Sequence, residues 1–339
     1  MKLKLRVENY NIDLTFKPSF LSSLYLSEGA GQWRKIAGHL AFRLRFKQAD
    51  EKTLIVESEA GLKGEALYRR ALLETGLYKG PYEYLIERLP GKVKPQVEAL
   101  ASVYSGVRLP HAPLDFKYIF VAASLSRRAN YDTAVLNWCK KLWERFDGRL
   151  ELIPELGEEL TKVGTSYQVL QLPRIVKEFM ELSTSKRLPN EVKDLIGKPY
   201  VPPEEFLLWL PPELARLTLI RCCWAVGPKV ADSIILTTFK ATSFVPCDAH
   251  ARLVSIRLGL VNSEGLGMPE KRYCAKFLCE PQASATLRIP LCPKAKEGAC
   301  LRAALTSLFK DLGGWIQTLI YLHGKKFCKS KRHYVGCVL

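Results

Sequence analysis

The chemistry open to this 339-residue chain turns on a lysine and an aspartate, Lys229 and Asp248, and on the stretch between them. Lys229 follows Pro228, which suits the first position of a helix: its φ is preset, and the N–H it lacks would be unpaired there anyway. The positive end of a helix disfavours an ammonium, and partial burial disfavours it further. A lysine so placed is neutral often enough to attack carbon and form a Schiff base. The helix expected over 229–239 is about 16 Å long. Residues 240–247 reach roughly 26 Å when extended, enough to bring Asp248 back beside Lys229. Each residue also has an ordinary reading. Asp248 precedes helical Ala249 and can be a plain N-cap; Lys229 can be a solvated residue of a helix face.

A second function belongs to the turn before Lys229. One helix ends near Trp224, a tight turn holds Gly227, and the next helix starts at Pro228. Such a hairpin offers the backbone N–H groups of Val226, Gly227 and Val230, with the positive helix end behind them, to a phosphate. That grips a nucleic-acid backbone without reading its bases. The composition agrees. Lys and Arg total 51 against 34 Asp and Glu, a formal charge of +17, which attracts polyanions in a salt-dependent way. Charge alone leaves membrane surface, RNA, DNA and no polyanion at all as readings.

The elements that must position these residues change character along the chain. Residues 1–93 read as an N-terminal α+β domain with an antiparallel sheet: 2–7 alternates, 40–46 alternates strictly, and 53–57 follows a polar turn. Helical spacing then appears around 66–68 and 82–89. Residues 94–339 read as a helical body, with apolar residues at helical spacing over 97–104, 116–125, 132–146, 174–182, 212–224, 229–239, 249–258 and 302–310. The hairpin occupies 213–239, and a cysteine-rich region runs over 274–339. Proline and glycine punctuate the helices, as at 106–113 and 199–203. The fold class is α+β. No stretch has the roughly 18 uninterrupted apolar residues of a membrane helix and nothing resembles a signal peptide, so an intracellular, soluble protein is expected.

The stretch Val226 to His250 resembles the helix-hairpin-helix DNA glycosylase superfamily, whose signature is a hairpin, a catalytic lysine and a downstream aspartate. Within it, Val-Gly-x-Lys-Val-Ala-Asp, the lysine-to-aspartate interval and Val-Pro-x-Asp-x-His look like the 8-oxoguanine DNA glycosylase/AP lyase branch. Gly106-Val107-Arg108-Leu109 and Gly314-Trp315-Ile316-Gln317 with Tyr321 extend the likeness. The resemblance implies a β domain before a pair of helical domains. It implies that Lys229 attacks the sugar C1′ of a flipped nucleotide, expels the base and supports β-elimination. Asp248 would stabilise the positive charge on the sugar. Gln317 and Tyr321, one helical turn apart, would read and stack on an oxidised purine, with Ser233 in the same pocket. Otherwise they are an amphipathic helix face, and Ser233 a packing residue. Residues 127–131 occupy the place of the residue inserted where the base has left, which Arg128 or Asn130 would fill while Arg127 and Arg128 hold phosphates; otherwise they form a solvated basic loop. His250 would reach a phosphate, or is structural. The implied partner is damaged double-stranded DNA, bound by a monomer without a cofactor or metal. Two other readings are open: a glycosylase for an oxidised pyrimidine or a mismatched base, and a non-catalytic hairpin module.

Two features depart from the family pattern. Ala225 stands where relatives carry the first glycine of the hairpin, and a left-handed backbone there would cost alanine roughly 1 kcal/mol. Six cysteines, Cys274, Cys279, Cys292, Cys300, Cys328 and Cys337, crowd the C-terminal region. The segment 322–328 resembles the approach to the iron–sulfur loop of endonuclease III-like relatives, but only Cys337 follows Cys328, so the loop of four thiolates is incomplete. A metal or cluster assembled across space, disulfides and free buried thiols all remain readings of this cluster.

Overall fold

The computed structural model describes residues 1–59, 61–62, 64–146, 148–196 and 201–328. Five antiparallel strands, β1 (Lys2–Arg6), β2 (Tyr25–Gly29), β3 (Gln32–Lys35), β4 (Leu44–Asp50) and β5 (Thr53–Ser58), form one sheet in the order β1-β5-β4-β3-β2. Period-two alternation puts Leu5, Trp33, Leu44, Phe46, Leu54 and Val56 on its buried face. There Phe16 meets Tyr25, Trp33 and Phe46 with ring centroids 5.1, 5.3 and 5.8 Å away.

The strand expected over 40–46 begins only at Leu44. Leu40 and Phe42 take left-handed angles, φ 68° and 61°, and the preceding residues fold into turns. The cause is tertiary. Asp115 accepts the His39 N–H at 2.6 Å and lies so close to Gly38 (φ +78°) that a Cβ there would be 2.3 Å from its Oδ1. That anchor overrides the alternation.

Ten longer helices complete the fold: α1 (Gly64–Thr75), α2 (Lys94–Val103), α3 (Phe116–Leu125), α4 (Leu136–Phe146), α5 (Leu172–Met180), α6 (Pro212–Cys222), α7 (Pro228–Thr238), α8 (Ala249–Arg257), α9 (Leu301–Phe309) and α10 (Gly313–Phe327). The molecule is α+β, as its patterning predicts. The residues before 94 are tied to the helical body by two devices. In one, buried Lys35 donates to Glu74 at 2.8 Å and to Asp115 at 2.6 Å, while Arg70 pairs with both carboxylates. In the other, the Arg108 guanidinium donates to the carbonyls of Glu8 (3.0 Å) and Asn9 (2.6 Å). Gly106 permits that approach: it has φ +82°, and a Cβ would lie 2.7 Å from the Asn11 nitrogen.

The hairpin helices are fixed from behind. Asp232 on α7 accepts from Arg216 on α6 at 2.6 Å and from Arg302 on α9 at 2.9 Å, all three fully buried. Helix α10 lies close to the return segment after α7. The Gly314 N–H donates to Thr242 O at 2.8 Å, and a Cβ at Gly313 or Gly314 would meet Ser243 O at 2.8 Å or Leu236 Cδ1 at 2.4 Å. The paired glycines are therefore a packing requirement, and they bring α10 against the chain that leads to Asp248. Among the described residues no helix is long and apolar enough to cross a membrane.

Candidate active site

The turn between α6 and α7 closes when the Val226 N–H donates to Cys223 O at 3.2 Å. Ala225 keeps a negative φ, so the strain expected from replacing glycine does not arise: the Cys223–Val226 bond makes the turn with ordinary angles. This also commits the Val226 N–H, and the Val226 side chain is buried. Gly227 (φ −95°, ψ 177°) then stands at the N-cap, and no side chain caps α7. The first-turn N–H groups, Val230 among them, thus lack a side-chain acceptor. A Cβ at Gly227 would meet nothing within 4 Å, so the fold itself does not require glycine here.

Lys229 turns its amino end inward. Its Nζ donates to Ser126 Oγ at 3.0 Å and lies 5.0 Å from the centre of the Phe20 ring. Ser126 Oγ in turn donates to Ala123 O at 2.7 Å. Loss of water around the amino group pulls the Lys229 pKa below its ordinary 10.5, and the Asp248 carboxylate opposes this. The amine is therefore easier to neutralise than a surface lysine. Asp248 makes no direct ion pair with it. Asp248 Oδ1 instead accepts the Ala251 N–H at 2.8 Å as N-cap of α8. The cap fixes the carboxylate on the cavity wall, so both roles are compatible.

That cavity, of about 1000 Å³, brings most of the sequence-selected residues together: Lys229, Val230, Ser233, Asp248, His250, Gln317, Tyr321, Arg127, Arg128 and Asn130 all line it, with Ser126 and Phe20. Gln317 is 8% exposed, and among the described residues its amide makes no hydrogen bond, so its donors and acceptor are open to a ligand. Tyr321 meets His250 edge-on at 5.7 Å and lies under the Lys325 ammonium at 5.7 Å; Lys325 pairs with Asp132 across the cavity mouth. Ser233 Oγ donates to Lys229 O at 2.9 Å, one turn back, so it packs the helix and lines the cavity at once. His250 is pressed against α10, where a Cβ at Gly324 would lie 2.7 Å from its Nδ1.

The loop after α3 separates its three residues. Arg127 is held by the fold: it donates to Ser124 O at 2.8 Å and to Gln171 Oε1 at 3.0 Å. Burial holds its pKa below the usual arginine value. Asn130 Oδ1 accepts from the N–H groups of Asp132 (3.1 Å) and Thr133 (3.2 Å), capping the next helical turn. Arg128 alone is exposed without such ties, at φ 53°. Arg127 and Arg128 also line a second cavity of about 490 Å³ with Trp224, Gly227, Pro228 and Lys229. Lys229 thus sits on the wall between two open spaces.

Among the described residues no group of three or more His, Cys, Asp or Glu is arranged to hold a metal, and the nine described cysteines are free thiols. Cys337 lies outside the described residues. Two lining residues escape the sequence. Ser126 adjoins the basic loop that the sequence does mark, so a hydroxyl beside a candidate nucleophile is a usable signal. Phe20, far away in the β domain, carries no signal of its own.

No family model and no curated protein matches the chain. Solved structures do. The chain is similar to a Clostridium acetobutylicum 8-oxoguanine glycosylase/lyase in complex with double-stranded DNA containing cytosine opposite 8-oxoG, at 14% identity and a TM-score of 0.65, over 96% of this chain and 97% of that one. It is similar to MBOgg1 in complex with a low-affinity DNA ligand, at 16% identity and a TM-score of 0.66, over 97% and 96%. It is also similar to a 3-methyladenine DNA glycosylase from Archaeoglobus fulgidus, at 16% identity and a TM-score of 0.61, over 96% and 99%. Over nearly its whole length the chain has the helix-hairpin-helix DNA glycosylase fold.

Proposed function

We propose that the protein is a DNA glycosylase and AP lyase that removes an oxidised purine, 8-oxoguanine, from duplex DNA. One observation carries this reading. A lysine amine whose pKa is lowered by burial and a fixed carboxylate share a cavity of about 1000 Å³, roomy enough for a flipped nucleotide, with an amide that no protein group among the described residues engages. The amide lines the cavity with its donor and acceptor free, the complement of the Watson–Crick edge of a purine. The +17 charge and the uncapped start of α7 support a DNA partner.

In this reading the target nucleotide leaves the stack and its base enters the cavity between Gln317 and Tyr321. Arg128, the exposed and untethered residue of its loop, occupies the gap. Neutral Lys229 attacks C1′; the bond from C1′ to the base nitrogen breaks, and the base leaves with the electron pair and takes up a proton. Asp248 favours the positive charge that develops on the sugar. The amine bound at C1′ loses a proton as the sugar ring opens to a Schiff base. A proton then leaves C2′ and the 3′ phosphate departs, which is β-elimination. Ser126 accepts a lysine N–H while its own hydrogen is held by Ala123 O, so it aims the amine without serving as a base.

Duplexes carrying single defined lesions, incubated with the protein and borohydride, test this directly. A covalent adduct is expected with 8-oxoguanine, and with Lys229→Gln it is expected to vanish. No adduct with any lesion would defeat the Schiff-base mechanism; an adduct only with an oxidised pyrimidine or a mismatch would reassign the substrate.

A further inference from the structure

Among the described residues two carboxylates line the large cavity, Asp248 and Asp132. Asp248 caps α8. Asp132 instead stands exposed at the mouth, on a face that a polyanion must approach, where a bare carboxylate would repel it. It is paired with Lys325 of α10.

The two partners differ in freedom. Asp132 is fixed: its N–H donates to Asn130 Oδ1 at 3.1 Å, and the hydroxyl of neighbouring Tyr131 lies 2.9 Å from Ser22 Oγ and donates to Ser19 O at 3.1 Å. Lys325 carries its ammonium on a flexible four-carbon stem. The Asp132 and Lys325 side chains keep 41% and 34% of their exposure, and an ion pair so open to water is favoured by about fivefold at most. Lys325 is therefore the part that can leave. Its Nζ stands 5.7 Å over the centre of the Tyr321 ring, and both residues line the cavity.

The other lysines and arginines on the cavity wall are committed. Arg108 donates to the carbonyls of Val107, Glu8 and Asn9, Arg127 donates to Ser124 O and Gln171, and Lys229 turns inward to Ser126. Arg128 has its place in the gap that the base leaves. Lys325 is the mouth cation whose present partner a phosphate can replace.

We infer that Lys325 is a phosphate ligand of the extruded nucleotide, and that Asp132 parks it over Tyr321 until that phosphate arrives. In the free protein the parked ammonium covers the ring. As a nucleotide enters, its backbone phosphate takes Lys325 from Asp132, and the ring is open to the base. This role rests on the proposed place of Tyr321 as the stacking surface, not on which base is removed or on Lys229 as nucleophile.

The test compares the full chain with Asp132→Asn and Lys325→Ala. Both side chains are open to solvent, so neither substitution threatens the fold. Hydroxyl-radical footprinting of the free proteins, read by peptide mass spectrometry, should show Tyr321 oxidised about two- to fivefold faster in both variants, with buried Tyr82 as the unchanged standard. Binding to a duplex with a tetrahydrofuran abasic analogue, followed by anisotropy over a salt series, should then separate them. Asp132→Asn should bind about two- to fivefold more tightly. Lys325→Ala should bind more weakly, with a slope of log affinity against log salt about one unit shallower. Unchanged Tyr321 oxidation in either variant overturns the parked state, and an unchanged salt slope in Lys325→Ala overturns the phosphate contact. The duplex holds no base to excise and no aldehyde for an amine to attack, so these readings stand or fall apart from borohydride trapping.

Discussion

Lys229 and Asp248 act on each other through space. Burial lowers the lysine pKa and Asp248 raises it, so Asp248→Asn should move the alkaline-rising limb of borohydride trapping to lower pH while slowing base release, because the charge that stabilises the sugar cation is gone. A limb unmoved in this variant would mean that the carboxylate does not reach the amine. Gln317 makes a different prediction. If it reads the base, Gln317→Ala should lower kcat/KM for the lesion about 10- to 100-fold, as one lost polar contact of about 1–3 kcal/mol does. Trapping on a ready-made abasic site, which has no base to read, should be unchanged. Equal losses on both substrates would assign Gln317 to structure. Lys229 and Asp248 stood out as residues because a helix start and a cap position are local facts, whereas Gln317 and Tyr321 stood out only through the family resemblance, their i, i+4 spacing alone reading as a helix face. Phe20 did not, because no spacing relates residue 20 to residue 229, and Ser126 was marked only by its place beside the basic loop.

At the scale of elements, two glycines separate a packing role from a binding role. Gly324 meets His250, where an added Cβ would lie 2.7 Å from Nδ1 and 2.9 Å from the His250 Cβ. The second contact is not the far end of a flexible side chain, so α8 or α10 must shift. Gly324→Ala should therefore cost about 1–3 kcal/mol in a denaturant melt and disturb the site, since α8 starts at Asp248 and α10 carries Tyr321. Gly227 has empty space where its Cβ would be. Gly227→Ala should melt like the wild type yet bind duplex DNA more weakly, read by fluorescence anisotropy, because the new methyl stands where a phosphate would approach. Equal affinity would remove the hairpin from the DNA interface. The helices themselves were legible: the periodicity over 116–125, 212–224, 229–239 and 249–258 matches α3, α6, α7 and α8. The segment 40–46 was legible only in part, because Asp115, distant in sequence, pulls residues 38–43 into turns.

For the whole molecule, the least legible feature joins the sheet to the helices. Lys35, the Arg70–Glu74 pair one turn apart on α1, and Asp115 come from three separate stretches that no sequence pattern joins, yet they form one buried cluster of two cations and two carboxylates. Their contacts cross residue 93, so the boundary drawn from patterning divides elements that pack together. Burial alone would raise the Glu74 pKa, but Arg70 and Lys35 outweigh it and hold the carboxyl below its usual 4.5. A carboxylate held low in the folded state contributes its full stability above its unfolded pKa and loses it as acid protonates the folded form. Glu74→Gln leaves two buried cations facing one carboxylate, and breaking such a set costs about 3–5 kcal/mol. Urea melts at neutral pH should show that deficit, and the gap to the wild type should narrow as the pH falls below 4.5, where the wild type begins to protonate Glu74 as well. A gap that stays constant into acid would mean that the charge of Glu74 does not hold the sheet to the body. Because Phe20, carried on the sheet side, sits over the Lys229 amine, loosening that joint should also return the lysine pKa toward 10.5, so the variant's trapping profile should move to higher pH.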